Sequence, residues 1–438
     1  MNLSVRKYSA DRPIIRNLDR VAASLLAFCP ILQHYKAPLY NAALTVMVLL
    51  VPYLLWRMTF RIKDFHLKEL MPVWALVAYM AFRVVDHGTS VTELGQSAVL
   101  VVLFVAAALG CIDIKWMCRT GLVVSCVASA VLIIQTVVFY LFGYHIQVIP
   151  VSALIDTADQ WILGARTGLA GVTGIIRTNG FYRPSAFFLE PSHIYIYMFP
   201  HLLVVLFGKK QKLKELGLAA LMTVGLGLST SGMGIAVACC AWALYFALFN
   251  EQEQTFTLRN LARRRTRTVL ILAAVGFIGA MIVLPPLRRA VIRIFTSSAT
   301  GSSAIGGRVR SAITAIRSLN AKQWIIGVSD TTHGMSSNMP GAVAALYRHG
   351  LIGMFLSMEF YTKSMWRLKM PFWVAALVIF GTSCFSAHTH STVGMMYFVL
   401  ILMRGYQTRA RENGLLDLLG DKLQKLRKQK PVNNQVQE

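Results

Sequence analysis

Long apolar runs separated by short polar segments dominate the pattern of this chain. A helix needs about 20 apolar residues to cross the hydrocarbon core of a membrane, and twelve stretches approach that length. The predicted spans cover residues 19–35, 38–56, 70–88, 95–112, 117–142, 186–208, 216–229, 232–249, 268–286, 341–361, 371–387 and 391–403. The pattern therefore predicts an all-α, polytopic integral membrane protein with about twelve transmembrane helices.

The connections between these spans predict a single membrane domain over residues 1–403. Two outer loops are long, about 143–185 and about 287–340, and loops of this length usually serve a function. The remaining residues, 404–438, are predicted to form a basic cytoplasmic tail. The boundary that depends most on charge is the division of 216–249 at Ser229–Gly234. Two spans there allow the basic runs on either side of this stretch to lie on the same face of the membrane.

Composition supports a membrane protein and decides how the positive charge is interpreted. The chain is 55% hydrophobic and 14% charged, whereas soluble domains contain roughly 25% charged residues. A net charge of +25 also fits a nucleic-acid-binding protein, but most Lys and Arg residues fall in segments predicted to be cytoplasmic. That bias sets the orientation of membrane proteins, so we expect no nucleic-acid partner. Anionic lipid headgroups attract the same residues.

The same bias predicts that both termini lie in the cytoplasm. The first twenty residues are basic, and they lack an apolar run followed by a cleavage site for signal peptidase. We therefore expect a cytoplasmic tail and not a removed signal. With an even number of spans, the protein is predicted to be a multi-pass membrane protein with both termini in the cytoplasm.

The segment from Arg177 to His193 contains the strongest candidates for chemistry. Arg177 and Arg183 end an outer loop, and Glu190 follows at the start of an apolar span. An ionisable group in such a span is expensive, so it is a functional candidate by default. Arginine binds phosphate oxygens through two donors, and a carboxylate at the mouth of a span suits acid–base work. His193 shares a helix face with Glu190 and is expected to support it.

Cations in the second outer loop contradict the orientation bias and suggest an anionic ligand on the outer side. They are Arg288, Arg289, Arg293, Arg308, Arg310, Arg317 and Lys322. Arg308 and Arg310 open a helix after a flexible Ser- and Gly-rich stretch, which makes them the candidates in this loop. Arg348 lies about 10 Å inside the tenth span, at 1.5 Å per residue. A solvated surface is the ordinary interpretation of the other charges.

An ordered set of motifs resembles the O-antigen polymerase and O-antigen ligase superfamily of bacterial envelope glycosyltransferases. The set begins with Arg177-Thr-Asn-Gly-Phe, continues with Phe188-Leu-Glu-Pro, and includes the serine-rich turn Ser229–Gly234. A later loop then contains Gly307-Arg308, Trp324-Ile-Ile-Gly, His333, Asn338 and Gly350-Leu-Ile-Gly, in that order. The resemblance covers about residues 175 to 355 in motif and the whole chain in topology.

The resemblance implies a GT-C-like fold and a polysaccharide polymerase of the bacterial cytoplasmic (inner) membrane. Its substrate would be an undecaprenyl-diphosphate-linked oligosaccharide, and the glycan would pass to a sugar hydroxyl on a second lipid-linked glycan. Arg177, Arg183 and Arg308 would bind the diphosphate, with Arg310, Asn338 and Arg348 completing the substrate site. Glu190 would be the favoured catalytic base, since burial at the mouth of a span raises the pKa of a carboxyl group. His333 would be the second candidate, because imidazole titrates near neutral pH unaided.

The resemblance also implies a glycosyltransferase that works without a metal or another cofactor. The sequence contains no Asp-x-Asp motif and no His/Cys ligand cluster. The implied partners are membrane lipids, a chain-length regulator and a flippase. The product can be O-antigen, lipopolysaccharide, capsule or exopolysaccharide.

Two alternatives remain open at this stage. A ligase of the same superfamily would transfer a finished glycan to another acceptor, although ligases tend to have a larger catalytic outer loop. A flippase or transporter of lipid-linked oligosaccharide would also have twelve spans and internal arginines. Its charges are expected near the bilayer midplane, often in two related halves, whereas the charges here cluster at the outer rim.

Overall fold

The computed structural model of the chain is helical. It describes residues 13–33, 35–37, 41–60, 91–109, 111–146, 148, 182–188, 191–207, 213–250, 255–256, 304–328 and 341–367, with isolated helical positions between 74 and 85, between 268 and 292, and at 376–377. The helices are α1 (Pro13–Leu32), α2 (Ala42–Thr59), α3 (Val91–Ala108), α4 (Ile114–Phe142), α5 (Pro191–Phe207), α6 (Leu213–Leu228), α7 (Gly232–Leu248), α8 (Ala304–Ser318), α9 (Ala321–Ile326) and α10 (Gly341–Arg367). A two-residue antiparallel ladder joins β1 (Phe249–Asn250) to β2 (Thr255–Phe256).

Polar side chains at helix ends explain where several of these helices begin. The Asn41 side chain accepts a hydrogen bond from the Leu44 amide at the start of α2. The Asp113 side chain accepts one from the Trp116 amide at the start of α4. Such caps satisfy amides that have no partner inside the helix. Short polar side chains therefore set the first residue of helices that are otherwise apolar.

The directions of α1, α2 and α4 follow from contacts near their ends. Asp19, near the start of α1, binds Arg57, near the end of α2. The Trp116 indole, at the start of α4, donates a hydrogen bond to Ser24 of α1. Helices α1 and α4 therefore begin at the same end of the bundle, and α2 finishes there. We call this end, which holds Asp19, Arg57 and Trp116, the basic end.

Contacts among α4 to α7 define the opposite end. Ser129 of α4 lies against Met198 of α5 and Gly225 of α6. Gly234, near the start of α7, packs on Tyr195 of α5. Helices α4 and α6 therefore finish, and α5 and α7 begin, at the end of the bundle opposite the basic end. We call it the loop end.

The structure divides 213–248 as the charge pattern predicted. Helices α6 and α7 are separated by the turn Ser229–Ser231 and contact each other. The Trp242 indole of α7 donates a hydrogen bond of 2.8 Å to the Thr223 hydroxyl of α6. Because three residues join the two helices, α7 returns along α6, which confirms the helical hairpin.

The prediction of an all-α chain is confirmed in the described residues, apart from the two-residue ladder. Two helices, α2 and α4, are long and apolar enough to cross a membrane, judged by length and composition. Three shorter apolar helical segments lie at 193–207, 232–246 and 341–356. The count of twelve spans stays a prediction, because the twelfth predicted span and the tail 404–438 lie outside the described residues.

Two clusters of buried apolar residues hold the described helices together. The larger cluster joins α1 to α7, and its most deeply buried members include Leu26, Met47 and Phe207. The smaller cluster joins α8 and α10 through Ala315, Leu319, Ala344 and Tyr347. Residues 304–326 belong to the second predicted outer loop, in which a helix was expected to open at Arg308 and Arg310; the structure has two helices there, α8 and α9, both packed on α10. Apolar residues on one side of α8 make this packing possible.

The structure corrects the tenth predicted span, which is not one continuous helix. Gly350 interrupts α10 with φ +64° and ψ −174°, a positive φ that glycine adopts readily. A side chain at Gly350 would collide with the Ile325 carbonyl, and one at Gly327 would collide with the Arg348 carbonyl. The end of α9 and the break in α10 therefore meet backbone to backbone.

Basic residues lie at both ends of the α1–α7 bundle. Those at the basic end are Arg16, Arg20, Arg57, Lys115, Arg119 and Lys214. Those at the loop end are Lys36, Arg183, Arg288 and Arg289, since Arg289 acts electrostatically on Tyr140 in the last turn of α4. Within this bundle, the described residues therefore place six cations at the basic end and four at the loop end, a comparison that leaves out the cations of α8 and α9, which are predicted to be external.

Candidate functional site

Gln135 of α4 holds the segment Tyr182–Phe188 at the loop end. Its side-chain carbonyl accepts a hydrogen bond of 2.9 Å from the Ala186 amide. Its side-chain NH2 donates a hydrogen bond of 2.9 Å to the Ile146 carbonyl. One buried amide therefore ties two connecting segments to the same helix. Ala186 has a φ of +51°, which is uncommon for a residue with a side chain, so this attachment stabilises an unusual turn.

Aromatic side chains reinforce the attachment. The Tyr182 ring stacks on Phe139 of α4 with 4.1 Å between ring centroids and 11° between ring planes. The Tyr182 hydroxyl and the His145 Nδ1 are 2.7 Å apart, and either atom can donate the hydrogen bond. Burial raises the pKa of Tyr182 and lowers the pKa of His145. Both groups are therefore held in their neutral forms at the loop end.

We expect the Tyr182–Phe188 segment to loosen as the pH falls below the ordinary histidine pKa of about 6.5. Because burial lowers the pKa of His145, the folded protein binds this proton less readily than the unfolded chain does. The stabilising effect of neutral His145 is complete above the pKa that this histidine has in the unfolded chain. It is lost as the pH falls through the lower pKa that the histidine has in the folded protein. Hydrogen exchange of the amides in 182–188, corrected for intrinsic exchange rates, would measure this loosening of the segment.

The matched control for this pH dependence is His145→Gln. Glutamine can still hydrogen-bond to the Tyr182 hydroxyl, but it does not titrate. We expect its exchange rates in 182–188 to vary less with pH than those of the wild-type protein. The same pH profile in both proteins would mean that another group controls the segment.

Arg183 follows Tyr182 directly and is half-buried. Its neighbours along the chain are fixed by the Tyr182 stacking and by the bond from Ala186 to Gln135. Arg289 is a second cation at this end, close enough to Tyr140 to act on its phenol electrostatically. The loop end therefore holds Arg183 in a fixed segment shortly before the chain enters the apolar helix α5.

Helix α5 begins beside the serine-rich turn. His193 and Tyr195, in its first turns, are buried, and Tyr195 packs against Gly234 of α7. The turn itself has Thr230 at a φ of +54°, a backbone conformation that is rare for a β-branched residue. Backbone in sparsely populated conformations recurs at functional sites. The structure therefore brings His193 and the serine-rich turn to the same end as Arg183.

The serine side chains of this turn have structural partners. The Ser229 hydroxyl donates to the Leu226 carbonyl at 2.7 Å, and the Ser231 hydroxyl accepts from the Gly234 amide at 3.3 Å. These bonds finish α6 and cap α7. The turn therefore shapes the loop end without needing a role in chemistry.

Tyr79 joins the α9–α10 contact to the third predicted span. Its hydroxyl lies within hydrogen-bonding range of the carbonyls of Ile326, at 2.9 Å, and His349. These carbonyls flank the backbone contact between Gly327 and the break in α10. The motif residues Trp324–Gly327 and Gly350–Gly353, far apart in sequence, thus come together around one buried tyrosine.

The described part of the chain contains some of the predicted site residues. Arg183 and Arg348 are half-buried, and Arg310 is exposed on α8. Arg308 belongs to α8, but its side chain lies outside the part that the structure describes. Arg348 directly precedes His349 and the break in α10. Arg183 belongs to the loop end, whereas the contacts described for Arg348 belong to the α9–α10 junction.

The other predicted site residues stay predictions. Arg177, Glu190, His333 and Asn338 lie outside the described residues. The proposed pairing of a base with the arginines therefore rests on the sequence. Among the described residues, no group of three His, Cys, Asp or Glu side chains could hold a metal ion.

Sequence reasoning missed Gln135, His145 and Tyr182, which position Arg183. Gln135 carried a usable signal, since a polar amide inside an otherwise apolar helix usually has a specific partner. His145 and Tyr182 carried none, because they lie on separate parts of the chain and only the fold brings them together. A scan of this chain against protein-family models and a search of curated proteins both find no match.

Proposed function

We propose that this chain is a polysaccharide polymerase of the bacterial cytoplasmic membrane with about twelve transmembrane helices. It joins undecaprenyl-diphosphate-linked oligosaccharide repeat units at the outer face, with the loop end outward and the basic end in the cytoplasm. The apolar helices α2 and α4 support the membrane setting. Within the α1–α7 bundle, the larger number of cations at the basic end supports the orientation.

The position of Arg183 is the observation that carries this proposal. Arg183 is half-buried shortly before the start of α5, and Gln135 and Phe139 hold the segment that contains it. A positioned cation next to apolar helices suits a ligand with a negatively charged head and a long apolar tail. A polyprenyl diphosphate has both features. Fixed cations in a water-poor site stabilise developing negative charge far more strongly than cations in water do.

The proposed reaction needs a nucleophile, a leaving group and a base. The oxygen of an acceptor sugar hydroxyl attacks the anomeric carbon of the donor sugar. The bond from that carbon to the lipid diphosphate breaks, and its electron pair leaves with the diphosphate. Arg183, Arg177 and Arg308 stabilise the leaving group. Glu190 or His333 takes the hydroxyl proton. A base whose pKa lies near neutral pH is efficient for this step.

The proposal is tested in a strain that lacks this chain. We expect the mutant to accumulate single lipid-linked repeat units on the outer side of the membrane, and the intact gene to restore a ladder of longer glycans. Size analysis of lipid-linked and surface glycans measures both. Long lipid-linked polymer that never reaches its acceptor would instead identify a ligase. Repeat units trapped on the cytoplasmic side would identify a flippase, and either result would overturn the polymerase assignment.

A further inference from the structure

A cluster of cations surrounds Trp116 at the basic end, far from the proposed catalytic site. The guanidinium carbon of Arg20 lies 4.8 Å from the centre of the Trp116 ring, and that of Arg119 lies 5.4 Å from it. Arg20 belongs to α1, and Arg119 belongs to α4. We call these three residues the arginine–tryptophan cluster. It marks the basic end of the groove between the two helices.

Further cations extend the cluster along each helix. Arg16 stands four residues before Arg20, and Lys115 stands four residues before Arg119, so each pair shares a helix face. Arg16, Lys115 and Arg119 are exposed. Positive charge therefore comes from two neighbouring helices at the same depth.

The charge of this cluster is only partly compensated by the described residues. Asp19, the nearest acid to Arg20 in sequence, is bound instead by Arg57, at 2.8 Å between Nη2 and Oδ2. The buried Nε of Arg20 has no hydrogen-bond partner among the described residues. Asp113 contributes one carboxylate, which caps α4 by accepting the Trp116 amide. An aromatic ring thus holds Arg20 where a carboxylate would otherwise be expected.

Exposed apolar residues lead away from the cluster along both helices. On α4 they follow Arg119 at intervals of four residues, at Val123 and Val127, which are 56% and 50% exposed. On α1 they include Val21 and Phe28, which are 55% and 39% exposed. The two helices are joined between these rows by the bond from Trp116 to Ser24. The groove therefore has a cationic head and apolar walls.

We propose that this groove binds an anionic phospholipid. The phosphate of its headgroup interacts with Arg20, Arg119 and the neighbouring cations, and its acyl chains lie along the exposed apolar residues of α1 and α4. Phosphate oxygens match the donors of arginine, and basic pockets between helices at the cytoplasmic face bind anionic headgroups. The site is separate from the loop end, so it does not depend on the polymerase proposal.

Native mass spectrometry of the full-length protein would test this site. The detergent-purified protein is mixed with phosphatidylglycerol and phosphatidylcholine of matched chain length. We expect wild-type protein to retain phosphatidylglycerol preferentially. The double variant Arg20→Gln/Arg119→Gln should bind it about thirtyfold more weakly, because each cation near a membrane surface contributes about a fivefold factor. Inorganic phosphate should not displace the lipid, since the acyl chains contribute to binding.

The matched control is Arg288→Gln/Arg317→Gln, which removes two exposed cations outside the groove and should bind phosphatidylglycerol as the wild type does. An equal loss of phosphatidylglycerol binding in both double variants would mean that binding depends on net charge alone, and it would overturn the proposed site. Unchanged binding in Arg20→Gln/Arg119→Gln would also overturn it. If that variant fails to fold, Arg119→Gln alone provides the test, because the Arg119 side chain is exposed and a several-fold loss is still expected.

Discussion

Arg183→Gln is expected to leave a folded protein in the membrane and to remove long glycan chains almost completely. In the proposed mechanism the Arg183 guanidinium stabilises negative charge that develops on the departing diphosphate. Removing one positioned group of this kind lowers the turnover rate about 10²- to 10³-fold. The readout is the rate of glycan ladder formation by purified protein from lipid-linked repeat units.

Two further variants separate a chemical role from a structural one. Arg183→Lys retains a point charge but loses the planar pair of donors, so its rate should fall between those of the wild type and Arg183→Gln. Arg317→Gln removes an exposed cation in the last turn of α8 and should keep wild-type activity. Hydrogen exchange in 182–188 should be the same in all four proteins. Full activity of Arg183→Gln would remove Arg183 from the mechanism.

Asp19→Asn is expected to destabilise the packing of α1 on α2 strongly. The Arg57 side chain is 2% exposed, and its Nε and Nη2 donate to the two Asp19 oxygens at 2.9 and 2.8 Å. Tyr53 donates to Asp19 as well, at 2.7 Å. Breaking a buried ion pair by removing one partner costs about 3–5 kcal/mol, because the other charge stays buried without compensation.

The control for this prediction replaces both charges with apolar residues. Asp19→Leu/Arg57→Met removes the pair without leaving a buried charge, and such replacements are often nearly neutral. Thermal unfolding in detergent, followed by tryptophan fluorescence, should show a lower midpoint for Asp19→Asn and recovery in the double variant. A midpoint for Asp19→Asn equal to that of the wild type would mean that Arg57 reaches water or another partner.

Local patterns in the sequence account for most of the described helices. Continuous apolar runs identified α4 to within a few residues, because a helix that faces apolar surroundings must be apolar along its whole length. The hairpin of α6 and α7 followed from the charges on either side of it. The break at Gly350 could not be located this way, since its cause is the approach of Ile325 from another helix.

The candidate site was only partly accessible from sequence. Arg183 stood out because a cation next to an apolar run is unusual. Of the residues that position it, Gln135 stood out as a polar amide in an apolar helix, but His145 and Tyr182 did not, since their contact forms only on folding. The pairing of Asp19 with Arg57 could not be predicted either, because these residues are 38 positions apart in the chain and meet only on folding.

The sequence by itself determined the helical character of this protein, the division of its helices and the uneven distribution of its positive charge. These properties depend only on the composition of short stretches of the chain, so each stretch can be interpreted without knowing the fold. The tertiary structure alone decided which polar groups meet: Gln135 with Ala186, Asp19 with Arg57, and Arg20 and Arg119 with Trp116. Pairings between distant residues depend on how helices pack, and packing depends on the shapes of many side chains at once.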